Sequence, residues 1–223
     1  MSQKSSKKFK DRTFLVLSSR IESPKPKFER YDIQLPESLI RHFIENYTKK
    51  GDRVLDPFAG LGSTIRVSEQ LGRVPFGVEP DARRHAWICK HTSYPGNVIL
   101  GDSGKITKFG LPKFDLCFTS PPYMPRYHRW NPLYKGDPKY SGYKNYQKRL
   151  KQIFNSVSQL MKRGAPVVIQ VDNLKDKRVS PLAWDIAETV SAVFKFEGEI
   201  IVGWEGSNNS YYDHTYCLVF KKI

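Results

Sequence analysis

The sequence predicts an α/β fold in which a mostly parallel sheet is covered by helices on both faces. Short apolar runs, such as residues 53–56 and 114–118, alternate with segments whose apolar residues recur at the period of a helix. Turns rich in glycine or proline separate many of these segments. A length of 223 residues fits one domain with a substantial core, so we expect a single domain.

The individual elements follow from the same patterns. Pro36 suits the first turn of a helix, and Gly51 suits the position just after its end. The predicted strands are 14–17 at an edge, 53–56, 75–79, 97–100, 114–118, 167–171, 199–204 and 215–220. The predicted helices are 35–50, 63–71, 81–91, about 150–163 and 180–194. The last two strands are close enough in sequence to form an antiparallel hairpin.

The charge of the chain indicates its class of partner. A formal net charge of +15 favours a polyanion. No apolar run approaches the roughly 20 residues that span a bilayer, so a membrane partner is not expected. The amino terminus is basic and serine-rich without a hydrophobic segment, which favours a cytoplasmic protein over a secreted one. We interpret residues 1–30 as a basic, partly disordered arm, either solvated or lying along phosphates, and residues 31–223 as the folded domain.

The cysteines and histidines do not indicate a disulfide framework or a metal site. Cys89, Cys117 and Cys217 are odd in number and widely spaced, which favours reduced thiols. Cys117 and Cys217 lie in apolar, strand-like runs and are expected in the core. The histidines predicted on helices have no ligand partners in the pattern: His42, His85 and His91.

A glycine-rich turn follows the predicted strand at 53–56. Its residues are Asp56, Pro57, Phe58, Ala59, Gly60, Leu61, Gly62, Ser63 and Thr64. Glycines between a strand and a helix let the backbone approach a ligand closely. Ile65 stands where the dinucleotide fingerprint has its third glycine, and no GK[ST] phosphate loop is present. The turn therefore disfavours NAD and ATP as ligands.

Acidic residues follow the next two strands of the predicted sheet. Glu79 ends the strand at 75–79, 23 positions beyond Asp56, which is the spacing at which an acid reaches ribose hydroxyls. Asp102 comes just after the strand at 97–100. Because the carboxyl ends of parallel strands share one edge, the three acids could bind a cationic ligand that carries a nucleoside.

A second turn follows the strand at 114–118, and it consists of Thr119, Ser120, Pro121, Pro122 and Tyr123. The two prolines fix φ and force the preceding residues to be extended, which makes the turn stiff. Such a turn can aim a hydroxyl, carbonyl oxygens and an aromatic ring at one small planar target. We interpret that target as the amino group of a nucleobase.

The stretch after this turn, residues 124–150, is predicted to be an insertion that binds nucleic acid. Its basic side chains suit phosphates, and its aromatic faces suit unstacked bases. The candidate contact residues are Arg126, Tyr127, Arg129, Trp130, Lys135, Lys139, Tyr143 and Lys144. The loop at 204–214 is either part of the base pocket or a plain hairpin loop.

The two turns, in this order, resemble the motifs of a known family. The turn at 56–64 resembles the cofactor motif of the S-adenosylmethionine-dependent amino-methyltransferases, the cytosine-N4 and adenine-N6 DNA methylase family. The turn at 120–123 is similar to that family's catalytic motif, in which Asp, Asn or Ser precedes two prolines and an aromatic residue. The resemblance runs from about residue 35 to the end of the chain.

The resemblance implies a Rossmann-like class I methyltransferase fold, with a mostly parallel seven-stranded sheet and one antiparallel strand near the carboxyl terminus. It also implies S-adenosylmethionine as the cofactor. Asp56 and the backbone of Gly60 and Gly62 would hold the methionine part, Glu79 the ribose and Asp102 the adenine. The cofactor-binding set is completed by Pro57, Phe58, Ser63 and Thr64.

The chemistry of the target atom supports this resemblance. An exocyclic amine is a poor nucleophile because its lone pair is delocalised into the ring. If Ser120 and the Pro121 carbonyl accept its two hydrogens, the lone pair can point at the methyl group. Tyr123 would stack on the unstacked base. Methylation at carbon 5 would need a cysteine after a proline, and no cysteine of this chain follows one.

The finer assignment has several alternatives. Ser120 is neutral where many adenine enzymes carry a carboxylate, which favours cytosine N4 over adenine N6 by analogy with the family. The family favours DNA, whereas the short insertion favours structured RNA such as ribosomal RNA. A non-catalytic nucleic-acid-binding module on the same fold is the alternative outside enzymes. The sequence leaves the oligomeric state open.

Overall fold

The structure, a computed structural model, describes residues 12–30, 34–175, 178–205 and 213–223. The basic residues predicted in the first part of the arm, at 1–11, lie outside the described residues. So does the tip of the loop at 204–214, namely residues 206–212. Among the described residues, no helix is long and apolar enough to cross a membrane.

The described part of the chain contains ten strands and five α-helices. The strands are β1 (Phe14–Ser18), β2 (Arg53–Asp56), β3 (Val74–Glu79), β4 (Val98–Leu100), β5 (Leu116–Thr119), β6 (Pro166–Val171), β7 (Leu174–Lys175), β8 (Val179–Ser180), β9 (Lys195–Glu205) and β10 (His214–Lys221). The helices are α1 (Glu37–Tyr47), α2 (Ser63–Gln70), α3 (Ala82–Lys90), α4 (Tyr143–Ser158) and α5 (Leu182–Ser191).

The main sheet has eight strands in the order β1-β9-β10-β6-β5-β2-β3-β4. β10 is antiparallel to both of its neighbours, and the other pairings are parallel. The predicted α/β fold with one reversed strand near the carboxyl terminus is therefore confirmed. The sheet has one strand more than the predicted seven, because β1 pairs with β9 in register from Phe14 opposite Ile201.

The sheet is buried on both faces, as the apolar strands predict. In β5, Cys117 packs into the cluster under α4 and α5, and its neighbour Phe118 packs into the cluster under α1. This alternation follows from the two-residue period of a strand. On the α1 face, the rings of Phe43 and Phe118 lie 5.6 Å apart between centroids. Each such buried side chain contributes about 2 kcal/mol from the removal of apolar surface from water.

Helix α4 begins earlier than predicted. Its first residue is Tyr143, whereas the pattern placed the start near residue 150, so the last part of the predicted insertion at 124–150 is helical. Tyr146 and Leu150 are fully buried and lie one turn apart on the inner face of this helix. The insertion proper therefore spans residues 124–142.

Part of the segment predicted as a basic arm is ordered secondary structure, since residues 14–18 form β1. β1 extends the sheet, and the connection after it is fastened to the helices by an ion pair and by hydrogen bonds. Glu29 pairs with Arg84 of α3 at 2.7 Å, and Glu37 at the start of α1 pairs with Arg66 of α2. Glu37 also accepts the backbone N–H of Ser23 at 2.8 Å.

Candidate active site at the carboxyl edge of the sheet

The strand order brings the two predicted turns side by side. β2 lies between β3 and β5 in the sheet, so the chain moves outward from β2 to β4 and then returns to the other side of β2 with β5. In open α/β sheets, ligands bind in the crevice at such a switch point. The turn after β2 and the turn after β5 both lie at this crevice.

Asp56 connects the two turns directly. Its Oδ1 accepts a hydrogen bond from the hydroxyl of Thr119, the last residue of β5, at 2.6 Å. The same oxygen accepts the backbone N–H of Phe58 at 3.0 Å, and Thr64 also bonds to the carboxylate. Burial raises the pKa of Asp56, although these hydrogen bonds act in the opposite direction.

The glycine-rich turn has the backbone conformation that glycine permits. Gly60 and Gly62 have φ of 57° and 84°, a region that costs other residues about 1 kcal/mol or more. The Pro57 carbonyl accepts a hydrogen bond from Ser103, which ties this turn to the segment after β4. Phe58 packs against Phe154 of α4, with ring centroids 6.3 Å apart. Helix α2 starts at Ser63, directly after Gly62, so the last two residues of the turn belong to its first turn.

Glu79 is buried at the end of β3, and each of its carboxylate oxygens accepts one backbone N–H. The donors are Gly60 at 2.9 Å and Asp81 at 2.8 Å. Burial raises the pKa of Glu79 to about 7. The Glu79 side chain thus bonds both to the glycine-rich turn and to Asp81, the residue directly before α3.

Asp102 lies after β4 and caps a short 3-10 helix by accepting the Gly104 N–H at 2.8 Å. Its second oxygen forms an ion pair with Arg149 of α4. The Arg149 guanidinium in turn lies over the ring of Tyr134, 5.1 Å from its centroid. Tyr134 stacks on Tyr140, with centroids 4.1 Å apart. The insertion is therefore linked to the acid predicted to bind adenine.

The hydroxyl groups of two tyrosines that pack against the core contact the turn after β5. The Tyr146 hydroxyl donates to the Pro122 carbonyl at 3.0 Å. Tyr123 is half-buried against the core, and its hydroxyl lies 3.5 Å from the Ser120 oxygen. Pro121 is buried and Pro122 is exposed, so the turn presents one of its two prolines to solvent.

The hydroxyl of Tyr123 is anchored to the end of β6. It donates to Gln170 Oε1 at 2.9 Å and accepts the backbone N–H of Asp172 at 3.1 Å. Gln170 Nε2 lies 2.7 Å from Thr215 Oγ1 of β10. Burial raises the pKa of Tyr123 well above its ordinary value, and it also raises the pKa of Asp172.

Two predicted nucleic-acid contacts, Arg126 and Tyr143, are bonded to the same acid of α5. Arg126 pairs with both oxygens of Asp185, its Nε lying 2.7 Å from Oδ2, and Tyr143 donates to Oδ2 at 2.7 Å. The backbone N–H of Arg126 also donates to Ser180 at 2.9 Å. The hydrogen bond to Asp185 raises the pKa of Arg126, and burial raises that of Tyr143. This cluster fastens the insertion to α5, while 51% of the Arg126 side chain stays exposed.

The other predicted contact residues lie on the exterior of the insertion and of the first turn of α4. The buried side chain of Asn131 organises the insertion by accepting the Leu133 N–H at 3.1 Å and donating to the Tyr140 carbonyl at 3.0 Å. Trp130 is 61% exposed. The remaining exposed candidates are Tyr127, Arg129, Lys135, Lys139 and Lys144.

The structure shows side-chain contacts that the sequence did not predict. Arg149, Gln170 and Asp185 each contact a predicted site residue that is 42 or more positions away in the chain. No local motif marks such contacts. For Tyr146 a signal exists, because its spacing from Leu150 places it on the buried face of a helix.

Comparison of the sequence with protein families matches the amino-terminal part of the chain. Residues 2–90 match a family described as DNA methylase. This range contains the glycine-rich turn and Glu79 and ends before Ser120. Over 56 residues, the chain is 41% identical to the type II methyltransferase M.MjaI of Methanocaldococcus jannaschii. That match covers 25% of this chain and 18% of the relative, so the chain aligns with less than a fifth of the relative's length.

Comparison of structures covers most of the chain. TrmN from Thermus thermophilus superposes with a TM-score of 0.60 over 85% of this chain and 49% of its own, at 15% identity. SMU.1697c from Streptococcus mutans, solved in complex with SAH, superposes with a TM-score of 0.54 over 86% of this chain and 99% of its own, at 12% identity. At these identities the likeness shows a shared fold and nothing finer.

Proposed function

We propose that this chain is a member of the cytosine-N4/adenine-N6 family of DNA methylases and that it transfers a methyl group from S-adenosylmethionine to an exocyclic amine of a nucleic-acid base. Its fold is that of the class I methyltransferases. The family match supports the cofactor, and the turn after β5 supports the acceptor.

The observation that carries the proposal is the hydrogen bond of 2.6 Å between Thr119 and Asp56. It joins the last residue of β5 to the first residue of the glycine-rich turn on the neighbouring strand. Ser120 follows Thr119 directly, so the hydroxyl proposed to meet the base lies beside the turn proposed to hold the cofactor. A transfer between two substrates needs this proximity.

The residues at the edge fit the cofactor by their hydrogen-bonding chemistry. When bound, S-adenosylmethionine supplies a methyl group on a positively charged sulfur. Each oxygen of Glu79 has accepted one backbone N–H and retains a lone pair for a ribose hydroxyl. Asp102 is 44% exposed beside Arg149, so its carboxylate remains accessible to the adenine part. Asp56 and the backbone of Gly60 and Gly62 would hold the methionine part.

The transfer step needs the base nitrogen to act as the nucleophile. Its lone pair forms a bond to the methyl carbon, while the carbon–sulfur bond breaks and leaves its electron pair on sulfur. The nitrogen then releases one proton to solvent and becomes a methylated amine. Ser120 Oγ and the Pro121 carbonyl would accept the amine hydrogens and bias the nitrogen toward a pyramidal form. Base stacking by the Tyr123 ring remains a prediction.

We propose N4 of cytosine in DNA as the target. The family supports DNA as the polymer, and the neutral Ser120 favours cytosine over adenine. N4-cytidine in structured RNA is the second candidate, and the exposed rings of Trp130 and Tyr127 on a short insertion favour it, because aromatic faces suit unstacked bases. Adenine N6 is the third.

The test is incubation of the protein with S-adenosylmethionine carrying a labelled methyl group and a mixture of native DNA and RNA. Nucleoside mass spectrometry then identifies the labelled base and the polymer. Label in N4-methyldeoxycytidine is the expected result. Label in a ribonucleoside or in N6-methyldeoxyadenosine would select one of the other two candidates.

Ser120→Ala separates cofactor binding from transfer. The variant loses the hydrogen-bond acceptor but none of the cofactor residues, so we expect unchanged calorimetric binding of S-adenosylmethionine and a kcat lowered by roughly 100-fold. Pro122→Ala is expected to behave in the same direction. No measurable cofactor binding by the unaltered protein would refute the enzyme and favour a nucleic-acid-binding module. Full transfer activity in both variants would refute the assignment of the turn.

A further inference from the structure

A chain of hydrogen-bonded side chains runs from the interior of the sheet to Ser120. Its inner members, Thr215 of β10 and Gln170 of β6, are 1% and 3% exposed. Its outer members are Tyr123 and Ser120. The methyl transfer proposed above uses the outer end of this chain, and the inner members have no part in that chemistry.

Thr215, at the inner end of this series of hydrogen bonds, has one proton to donate. The Thr215 hydroxyl lies 3.3 Å from the Val171 carbonyl oxygen and also bonds to the Asp172 carboxylate. The carbonyl oxygen and the ionised carboxylate can only accept, so with Asp172 ionised the single proton of Thr215 is committed to one of them. Gln170 Nε2, at 2.7 Å from Thr215 Oγ1, must therefore be the donor in that contact.

This orientation of the amide determines the next bond. With Nε2 on Thr215, the Oε1 atom of Gln170 faces Tyr123 at 2.9 Å. A carbonyl oxygen cannot donate, so the phenol gives its only proton to Gln170. The Asp172 backbone N–H, 3.1 Å from the phenol oxygen, is a second fixed donor that agrees with this direction.

The donor-to-acceptor direction of these hydrogen bonds then determines the role of Ser120. Its Oγ lies 3.5 Å from the phenol oxygen of Tyr123, a long hydrogen bond of the kind that tightens when a substrate binds. Because Tyr123 has no proton left for this contact, Ser120 is the donor. The lone pairs of Ser120 remain for the open side of the turn, where its side chain is partly exposed.

We propose that Gln170 and Tyr123 are positioning residues that orient Ser120 as a hydrogen-bond acceptor and so select a base with an amino group over a base with a carbonyl group at the same position. The inference rests on the proposed function. It gives a physical reason why a neutral serine can take the acceptor role, since a freely rotating hydroxyl could equally donate. A keto base would place its carbonyl oxygen against the Ser120 oxygen. Both atoms would be acceptors, so neither would gain a hydrogen bond in the half-buried site.

The test measures selection between amino and keto bases in binding. The protein saturated with S-adenosylhomocysteine is titrated with single-stranded oligonucleotides of one sequence that carry cytosine or uracil at the methylated position, or adenine and hypoxanthine if the target is adenine. We expect the unaltered protein to bind the amino base about tenfold more tightly. Tyr123→Phe and Gln170→Leu are expected to bring this ratio close to one.

The affinity for S-adenosylhomocysteine is the control for folding, and it is expected to stay within about twofold in both variants. Tyr94→Phe, which removes a phenol hydroxyl before the start of β4 at the opposite edge of the sheet, is the matched control and should keep the tenfold ratio. An unchanged ratio in Tyr123→Phe, equal binding of both bases by the unaltered protein, or loss of cofactor binding in both variants would overturn the inference.

The inference and the proposed function fail in distinguishable ways. Absence of methyl transfer by the unaltered protein would refute the function. Transfer with an unchanged amino-to-keto ratio in Tyr123→Phe would leave the function standing and remove the orienting role of Gln170.

Discussion

Glu79 joins two segments of the proposed cofactor side of the candidate site. Its carboxylate receives backbone N–H groups from Gly60 and Asp81, so the glycine-rich turn and the start of α3 share one acceptor. This role requires a buried carboxyl group, and burial raises its pKa to about 7 from the ordinary 4.5. Between these two values the folded protein carries a proton on Glu79 that the unfolded chain has released.

Glu79 should therefore make stability depend on pH. Because its pKa is higher in the folded than in the unfolded state, its contribution to stability falls as the pH rises from about 4.5 to 7. Glu79→Gln removes this titration. It also replaces one carboxylate oxygen by an amide nitrogen, so one backbone N–H loses its acceptor at every pH. Relative to the unaltered protein, we expect the free energy of unfolding of the variant to increase by about 2 kcal/mol between pH 5 and pH 8. Urea denaturation at several pH values measures this difference.

Glu45→Gln is the matched control for this prediction. Glu45 lies on the exposed face of α1, with 51% of its side chain accessible. Its substitution should change the unfolding free energy by a similar small amount at every pH. A difference between Glu79→Gln and the unaltered protein that does not vary with pH would show that Glu79 stays ionised in the folded state.

At the scale of elements, the strands were the most predictable part of the fold. In β5 and β6 every position is buried or nearly so, because both faces of the sheet are covered, and such strands appear in sequence as continuous apolar runs. The ends of these runs also located the two turns of the site. The reversed direction of β10 followed from the short spacing between the last two runs.

Long-range side-chain partners were not predictable. Asp185 bonds to Arg126 and Tyr143, which lie 59 and 42 positions away, and nothing local in α5 marks it. The start of α4 was also missed, because its first turns are rich in tyrosine and lysine and resemble a loop in composition. The buried Tyr146 could have indicated the helix, but its period only becomes visible when Leu150 is included.

The Asp185 cluster predicts that α5 controls the order of the insertion. Arg126 is half-exposed, so replacing Asp185 by Asn should lower the free energy of unfolding by only roughly 1–2 kcal/mol. The local effect should be larger, since both Arg126 and Tyr143 lose their contact with a carboxylate oxygen. We expect amide hydrogens of residues 124–142 to exchange about tenfold faster, measured by hydrogen–deuterium exchange with mass spectrometry.

Glu188→Gln supplies the comparison on the same helix. Glu188 is exposed on the outer face of α5, and its loss should leave exchange in the insertion unchanged. If both substitutions accelerate exchange equally, the insertion responds to the stability of α5 as a whole. If neither does, the Asp185 cluster does not hold the insertion in place.

At the scale of the whole molecule, the charge and the sheet edge must be considered together. The net charge of +15 attracts a polyanion to any part of the surface. The proposed chemistry needs the phosphate backbone of the nucleic acid to bind at the carboxyl edge of the sheet, where the insertion lies beside Ser120. Exposed cations of the insertion and the first turn of α4 lie on this side, whereas Lys50 precedes β2 and lies at the opposite edge.

The salt dependence of nucleic-acid binding separates general attraction from a defined path. Each phosphate contact contributes about 0.9 to the slope of log K against log salt concentration for duplex DNA and about 0.7 for a single strand. Lys139→Gln and Lys144→Gln together should therefore lower the magnitude of the slope by about 1.8 or about 1.4, according to the form of the substrate. Lys50→Gln should leave the slope unchanged, although it removes one charge from the same total. Fluorescence anisotropy over a series of salt concentrations gives the slopes. If Lys50→Gln lowers the slope as much as each of the other two substitutions, the phosphates follow no defined path along the insertion, and total charge alone accounts for binding.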